Sequence, residues 1–141
     1  MQIKEIMSKD VVRAYPEHTL EEAAKMMREN DTGMLPVEEN DKLIGVLTDR
    51  DIVVRAVAGG QNPAVAHVRT VMSDDDVLYC YEGQDVEDVA ENMAKQQVRR
   101  LVVLNNDDDK RLVGVVSLGD IATGAKNEET VAEAAEGVSR G

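Results

Sequence analysis

The phrase GVLTDRDI at residues 45–52 comes back as GVVSLGDI at residues 114–121. A chain of 141 residues that repeats itself in this way is constrained to build one small unit twice. The correspondence extends well beyond the phrase. Met7-Ser8 matches Met72-Ser73, and Val12 matches Val77. Leu20, Ala24 and Met27 match Val86, Ala90 and Met93, while Leu35 and Val37 match Leu101 and Val103. The offset grows from 65 between Met7 and Met72 to 69 between Gly45 and Gly114, which places small insertions in loops. The division read from this pattern is a first repeat over 1–62 with a leading helix, a second over 63–127, and a C-terminal helix or flexible tail over 128–141.

Within each repeat the apolar period changes. Residues 11–14 (VVRA) and 76–80 (DVLYC) are short and rich in β-branched or aromatic side chains, and read as strands. Thr19 and Glu22 have capping-box spacing, and Leu20, Ala23, Ala24 and Met27 then form one helical stripe. Asp85 is the corresponding cap before Val86, Val89, Ala90 and Met93. Two strands follow in each copy, at 34–38 and 42–48, and at 99–104 and 111–117. The chain then enters a helix at DRDIVVRAVA, stopped by Gly59-Gly60, and at LGDIATGA in the second copy. Each copy is therefore β-α-β-β-α, preceded by a short apolar helix at Ile3, Ile6 and Met7 or at Val68, Val71 and Met72. One such unit alone buries too little surface, so the α/β halves are expected to pack about a pseudo-twofold axis. Val131, Ala134, Ala135 and Val138 return at helical spacing in the tail.

Composition narrows the function. The net charge of −12 opposes nucleic acid and anionic membrane partners, both of which reward surplus Lys and Arg. The single cysteine, Cys80, permits no internal disulfide and fits a reducing compartment. No apolar run nears the ~20 residues of a membrane span, and the start lacks a signal-peptide stretch, so a cytoplasmic location is expected. His18 and His67 stand apart with no ligand spacing around them, the Asp runs do not follow a calcium loop, and no nucleophile–base set is visible. No catalytic or metal role is expected.

The repeated phrase admits two readings. Thr48 and Ser117 end strands and begin helices, so each is a natural N-cap with Asp51 or Asp120 at N3. The same residue types also suit a ribonucleotide. A hydroxyl and the free N–H groups of a helix start favour a phosphate, and a carboxylate one turn on can accept both hydroxyls of a ribose. Gly45 and Gly114 allow close backbone approach.

Taken together, IMS, LPV and LIGVLTDRDI in the first copy, with VMS, VRRLVVL and LVGVVSLGDI in the second, resemble a tandem pair of CBS (cystathionine-β-synthase) domains, the Bateman module. The resemblance covers about residues 6–126 and is nearest to the small stand-alone pairs of bacteria and archaea. It implies a regulatory module that binds AMP or another adenosine nucleotide in the cleft between repeats, with no cofactor required. On that resemblance Asp51 and Asp120 would hold ribose hydroxyls, and Thr48 and Ser117 would approach phosphate. Val12, Ala14, Tyr15, Val77 and Tyr79 would contact the base. Arg99 and Arg100 match a basic pair that touches phosphate; strand alternation would turn one of them to the cleft, Arg100 being favoured, and the other to solvent or a partner. The first copy has Gly33-Met34 at that place, so the two sites are expected to differ, with Arg50 and Arg55 as substitute charges. The resemblance also implies a homodimer and a downstream protein partner of unknown identity. The competing expectation is a ligand-free scaffold for oligomerisation or partner docking, in which the repeated phrase is two helix caps.

Overall fold

The computed structural model describes residues 1–74 and 77–124, so the helix expected in the tail lies outside the described residues. The described chain is α+β and divides into two compact units, Val12–Val77 and a second formed by Met1–Val11 with the chain from Leu78 onward. The leading segment of the first repeat thus packs within the unit of the second, and the reverse holds for Val68–Thr70. The boundary expected near residue 62 does not coincide with this division of packing.

In the unit Val12–Val77, helix α1 (Leu20–Glu29) begins as its sequence requires. Glu22 N–H donates to Thr19 Oγ1 at 3.1 Å and Thr19 N–H donates back to Glu22 Oε1 at 3.3 Å. Strands β1 (Met34–Glu39) and β2 (Lys42–Thr48) form an antiparallel hairpin. Its two-residue turn needs left-handed backbone, which Asn40 (φ 55°) and Asp41 (φ 64°) supply. Ala14, Leu20, Ala23, Met27, Leu35, Val37, Leu47, Ala56, Val68 and Val71 fill the core. Each fully buried Leu or Val there contributes roughly 1.5–3 kcal/mol.

The strand expected at 11–14 shrinks to one parallel bridge between Ala14 and Val37. Beyond it Tyr15 N–H donates to the His18 ring at 2.8 Å, and Pro16 has no N–H to extend a ladder. The expected leading helices are single 3-10 turns, Ile3–Glu5 and Val68–Thr70. Helix α2 (Asp49–Asp51) continues not as an α-helix but as a π-helical segment, Ile52–Val57. The segment is followed by Gly59, where a Cβ would stand 2.7 Å from the Arg55 carbonyl oxygen, and by the left-handed Gly60 (φ 79°).

In the other unit β3 (Tyr79–Tyr81) runs parallel to β4 (Arg100–Leu104), which pairs antiparallel with β5 (Leu112–Ser117). Helices α3 (Val86–Gln96) and α4 (Leu118–Gly124) cover Ile3, Cys80, Val89, Met93, Leu101, Val116 and Ile121. Asp85 occupies the N-cap of α3, but its side chain makes no capping bond. The leading segment also meets that end: the Met1 carbonyl accepts from Val86 N–H at 2.9 Å. The Asp85 carboxylate lies 3.7 Å from the Met1 amine.

Candidate functional site

Both copies of the repeated phrase leave the sheet and start a helix, and the two polar side chains of each copy bracket that junction. Thr48 N–H donates to Asp51 Oδ2 at 3.0 Å, and Asp51 N–H donates to Thr48 Oγ1 at 3.1 Å. Ser117 N–H donates to Asp120 Oδ2 at 2.9 Å, and Asp120 N–H donates to Ser117 Oγ at 3.0 Å. The capping arrangement is therefore real in both repeats. It does not exhaust the groups: each hydroxyl accepts from the helix and keeps its own proton to donate, and each carboxylate keeps a second oxygen.

The surroundings of these brackets differ. Asp51 Oδ1 accepts from Ser73 Oγ at 3.4 Å and lies 3.7 Å from Arg55 Nε. Arg55 is held over it by a second bond, from Nη1 to the Val71 carbonyl at 3.3 Å. Arg55 is therefore an ion-pair partner of the site carboxylate rather than a free charge. Four residues after Asp120 the chain has Gly124 in place of Arg55, packed so that a Cβ there would stand 2.8 Å from Ile6 Cγ2. Among the described residues Asp120 Oδ1 meets no protein donor.

The strand partners differ as well. Arg100 pairs in register with Ser117, and the Arg99 carbonyl accepts from Leu118 N–H at 2.9 Å. Both arginine side chains are exposed, and among the described residues neither meets a carboxylate. Met34 pairs with Thr48 in the same way, and the Gly33 carbonyl accepts from Asp49 N–H at 2.9 Å. Here the Asp49 carboxylate fills the space beside the backbone, since a Cβ on Gly33 would lie 2.8 Å from Asp49 Oδ2. One repeat presents guanidinium groups where the other presents an acid.

Not every expected base-contacting residue faces outward. Val12 and Val77 are half-buried, but Ala14 is a core residue with its N–H given to Pro36 and its carbonyl taken by Glu38. Tyr15 is 47% exposed and stands 5.4 Å from the His18 ring, so it offers a face to solvent. Tyr79 and Tyr81 meet edge to face at 5.6 Å, and Tyr81 Oη donates to Asp107 Oδ1 at 2.9 Å. That bond and the neighbouring Tyr79 hold the Tyr81 phenol well above its ordinary range. A cavity of about 450 Å³ lies beside α1, lined by Met27, Arg28, Asp31, Asp49, Ile52 and Val53 among others. Neither Thr48 nor Asp51 lines it.

Sequence reasoning missed Ser73 and the acid beside Gly33. The first had a sequence signal, because Met72-Ser73 is part of the repeat; in the structure Ser73 exchanges backbone bonds of 2.8 Å with Val46. The second arises from packing alone.

A model of the CBS domain matches residues 3–57 and again 68–127. The chain belongs to the CBS-domain family. It is 35% identical over 137 residues to the CBS domain-containing protein YhcV of Bacillus subtilis (strain 168), covering 97% of this chain and 94% of that one. It is 37% identical over 120 residues to hypoxic response protein 1 of Mycobacterium tuberculosis (strain CDC 1551 / Oshkosh), covering 84% and 81% of the two chains. A crystal structure of Hypoxic Response Protein I with two coordinated zinc ions superposes with a TM-score of 0.72 at 35% identity, covering 87% of this chain and 98% of that one. Among the described residues of the present chain no group of three or more His, Cys, Asp or Glu is gathered for a metal ion. The CBS domain pair of protein MJ0100, solved with 5'-methylthioadenosine and S-adenosyl-L-methionine, superposes with a TM-score of 0.68 at 29% identity. It covers 91% of this chain and 98% of that one. This chain is thus a CBS pair of the regulatory kind, and no helix among its described residues is long and apolar enough to cross a membrane.

Proposed function

We propose that this CBS pair is a non-catalytic sensor that binds an adenine nucleotide and passes its occupancy on as a conformational change. The observation that carries the reading is the recurrence of one hydroxyl–carboxylate bracket in both repeats, each with a hydroxyl proton and a carboxylate oxygen left over after capping. A diol and a phosphate need those two groups. Asp51 and Asp120 are assigned to ribose, Thr48 and Ser117 to phosphate, with Arg99 and Arg100 adding charge in the second repeat. Tyr15, Tyr79, Val12 and Val77 are assigned to the base. The adenosine ligands of the MJ0100 pair support the ligand class. A ligand acts on such a module by as much as its affinities for two arrangements differ. An affinity near 1 μM corresponds to about −8 kcal/mol, enough to bias an equilibrium of a few kcal/mol. We place the sensor in the cytoplasm as a homodimer acting on a further protein.

Calorimetric titration with AMP, ADP, ATP and S-adenosylmethionine tests the reading, beside Asp51→Ala and Asp120→Ala. Micromolar binding that is lost in at least one variant is the expected result. No heat from any of the four, with folded and nucleotide-free protein, overturns it. A scaffold without ligand is the second reading. It draws on the completed capping boxes and on Val53, Val54 and Val57, which are 59%, 50% and 55% exposed on one short segment.

A further inference from the structure

Resting on that reading, we infer that the two half-sites are not equivalent. Arg55 and Ser73 form a latch on Asp51 that a ribose must displace, while Asp120 stands ready, so nucleotide fills the second repeat first. Asp51 and Asp120 share their capping bonds, so the difference lies in the other carboxylate oxygen. On Asp51 this oxygen faces the Ser73 hydroxyl and the Arg55 guanidinium. On Asp120 it meets no protein donor among the described residues: Ser8, the equivalent of Ser73, exchanges backbone bonds with Val115 but gives the carboxylate no side-chain bond, and Gly124, the equivalent of Arg55, carries no side chain.

The charges beside the brackets point the same way. Beside the second bracket Arg100 is exposed and in register with Ser117, whereas beside the first the Asp49 carboxylate lies against Gly33. Like charge repels a phosphate there, and the latch occupies the diol acceptor. Arg55 is half exposed, so its ion pair is weak and the latch is a reversible competitor rather than a block. Competition from one exposed ion pair and one hydroxyl changes an affinity by roughly two- to tenfold. The first repeat is thereby tuned to higher ligand concentration than the second.

The test is a titration of the full ¹⁵N-labelled chain with AMP, followed by amide NMR. Thr48 and Asp51 amides report the first bracket, and Ser117 and Asp120 amides report the second. In the wild type the second pair moves at lower AMP, by more than tenfold once the charge difference adds to the latch. Arg55→Gln and Ser73→Ala narrow the gap two- to tenfold by strengthening the first half-site, and leave the Ser117 midpoint unchanged. Arg55→Gln changes an exposed side chain, and the dispersion of its spectrum verifies the fold. Simultaneous titration of both pairs in the wild type, or an unchanged gap in both variants, overturns the latch while leaving nucleotide binding intact. If neither pair moves with AMP, ADP, ATP or S-adenosylmethionine, the sensor reading fails and the latch with it.

Discussion

Arg13 and Glu38 form an ion pair at a place where the other repeat is apolar. Ala14 pairs with Val37 and Cys80 pairs with Val103, so Arg13 is equivalent to Tyr79 and Glu38 to Leu104. The Glu38 side chain is only 6% exposed and that of Arg13 27%. A carboxylate so far from water is tolerated because the guanidinium faces it. Arg13→Met is therefore expected to destabilise the chain by about 3–5 kcal/mol in urea unfolding. Replacing both residues as the second repeat does, Arg13→Tyr with Glu38→Leu, should recover most of that loss. A double variant as unstable as the single one would show that the pair does more than satisfy itself.

The caps make a gentler prediction. Thr48→Ala and Ser117→Ala each remove the acceptor for an otherwise free helix N–H, at a cost of about 1 kcal/mol. Asp51→Asn and Asp120→Asn keep an oxygen within reach of the Thr48 or Ser117 N–H and should cost much less. Thermal unfolding separates the two classes by a few degrees in a chain of this size. An Asn variant that melts as early as the Ala variants would assign the carboxylate charge, not the cap, to stability.

The glycines of the phrase are held by neighbouring backbone. A Cβ on Gly45 would lie 2.6 Å from the Ser73 carbonyl oxygen, and one on Gly114 2.6 Å from Met7 Sδ and 2.8 Å from the Ser8 carbonyl oxygen. Both neighbours belong to leading segments, which bond antiparallel to β2 and β5 through Val46 and Val115. Gly45→Ala and Gly114→Ala should each cost roughly 1–3 kcal/mol, the overpacking range. Gly83→Ala is the control, because a Cβ there meets nothing within 4 Å. Equal midpoints for all three variants in urea would contradict this account.

These contacts mark where the sequence was readable and where it was not. Period and capping chemistry are local, so the start of the helix at Leu20 and the strands Met34–Glu39 and Lys42–Thr48 were legible to within a residue. The equivalence of the two brackets was legible because it is written as a repeat. The failures have more than one cause. The Asp85 carboxylate makes no capping bond and lies near the Met1 amine instead, a group remote in the chain. The strand at 11–14 ends where the His18 ring takes the Tyr15 N–H. The π-helical segment arises in a valine-rich run whose apolar pattern does not distinguish it from an α-helix. Alignment of Val12 with Val77 was off by one: the bridges at Ala14 and Cys80 set the register, and it assigns Ala14 to the core.

That buried register position makes the last prediction, for Cys80. Its side chain is 2% exposed among Val89, Met93, Leu101 and Val103, and burial pushes the thiol up to about 12. A thiol held neutral in the fold ionises more readily once unfolded, at its ordinary value of 9.0. Its contribution to stability is therefore fully present below about pH 9 and is lost as pH rises from there toward about 12. The Tyr81 phenol, also shifted upward, acts with the same sign, so the comparison must be with a matched variant. Cys80→Ala lowers stability at neutral pH by opening a small cavity, but should lose less than the wild type between pH 8 and pH 10.5. A thiol-specific disulfide reagent at pH 8 should react at the rate of unfolding and speed up as urea is added. Parallel pH profiles for the two proteins, together with immediate labelling of the folded wild type, would place Cys80 at the surface and refute the packing described for the second core.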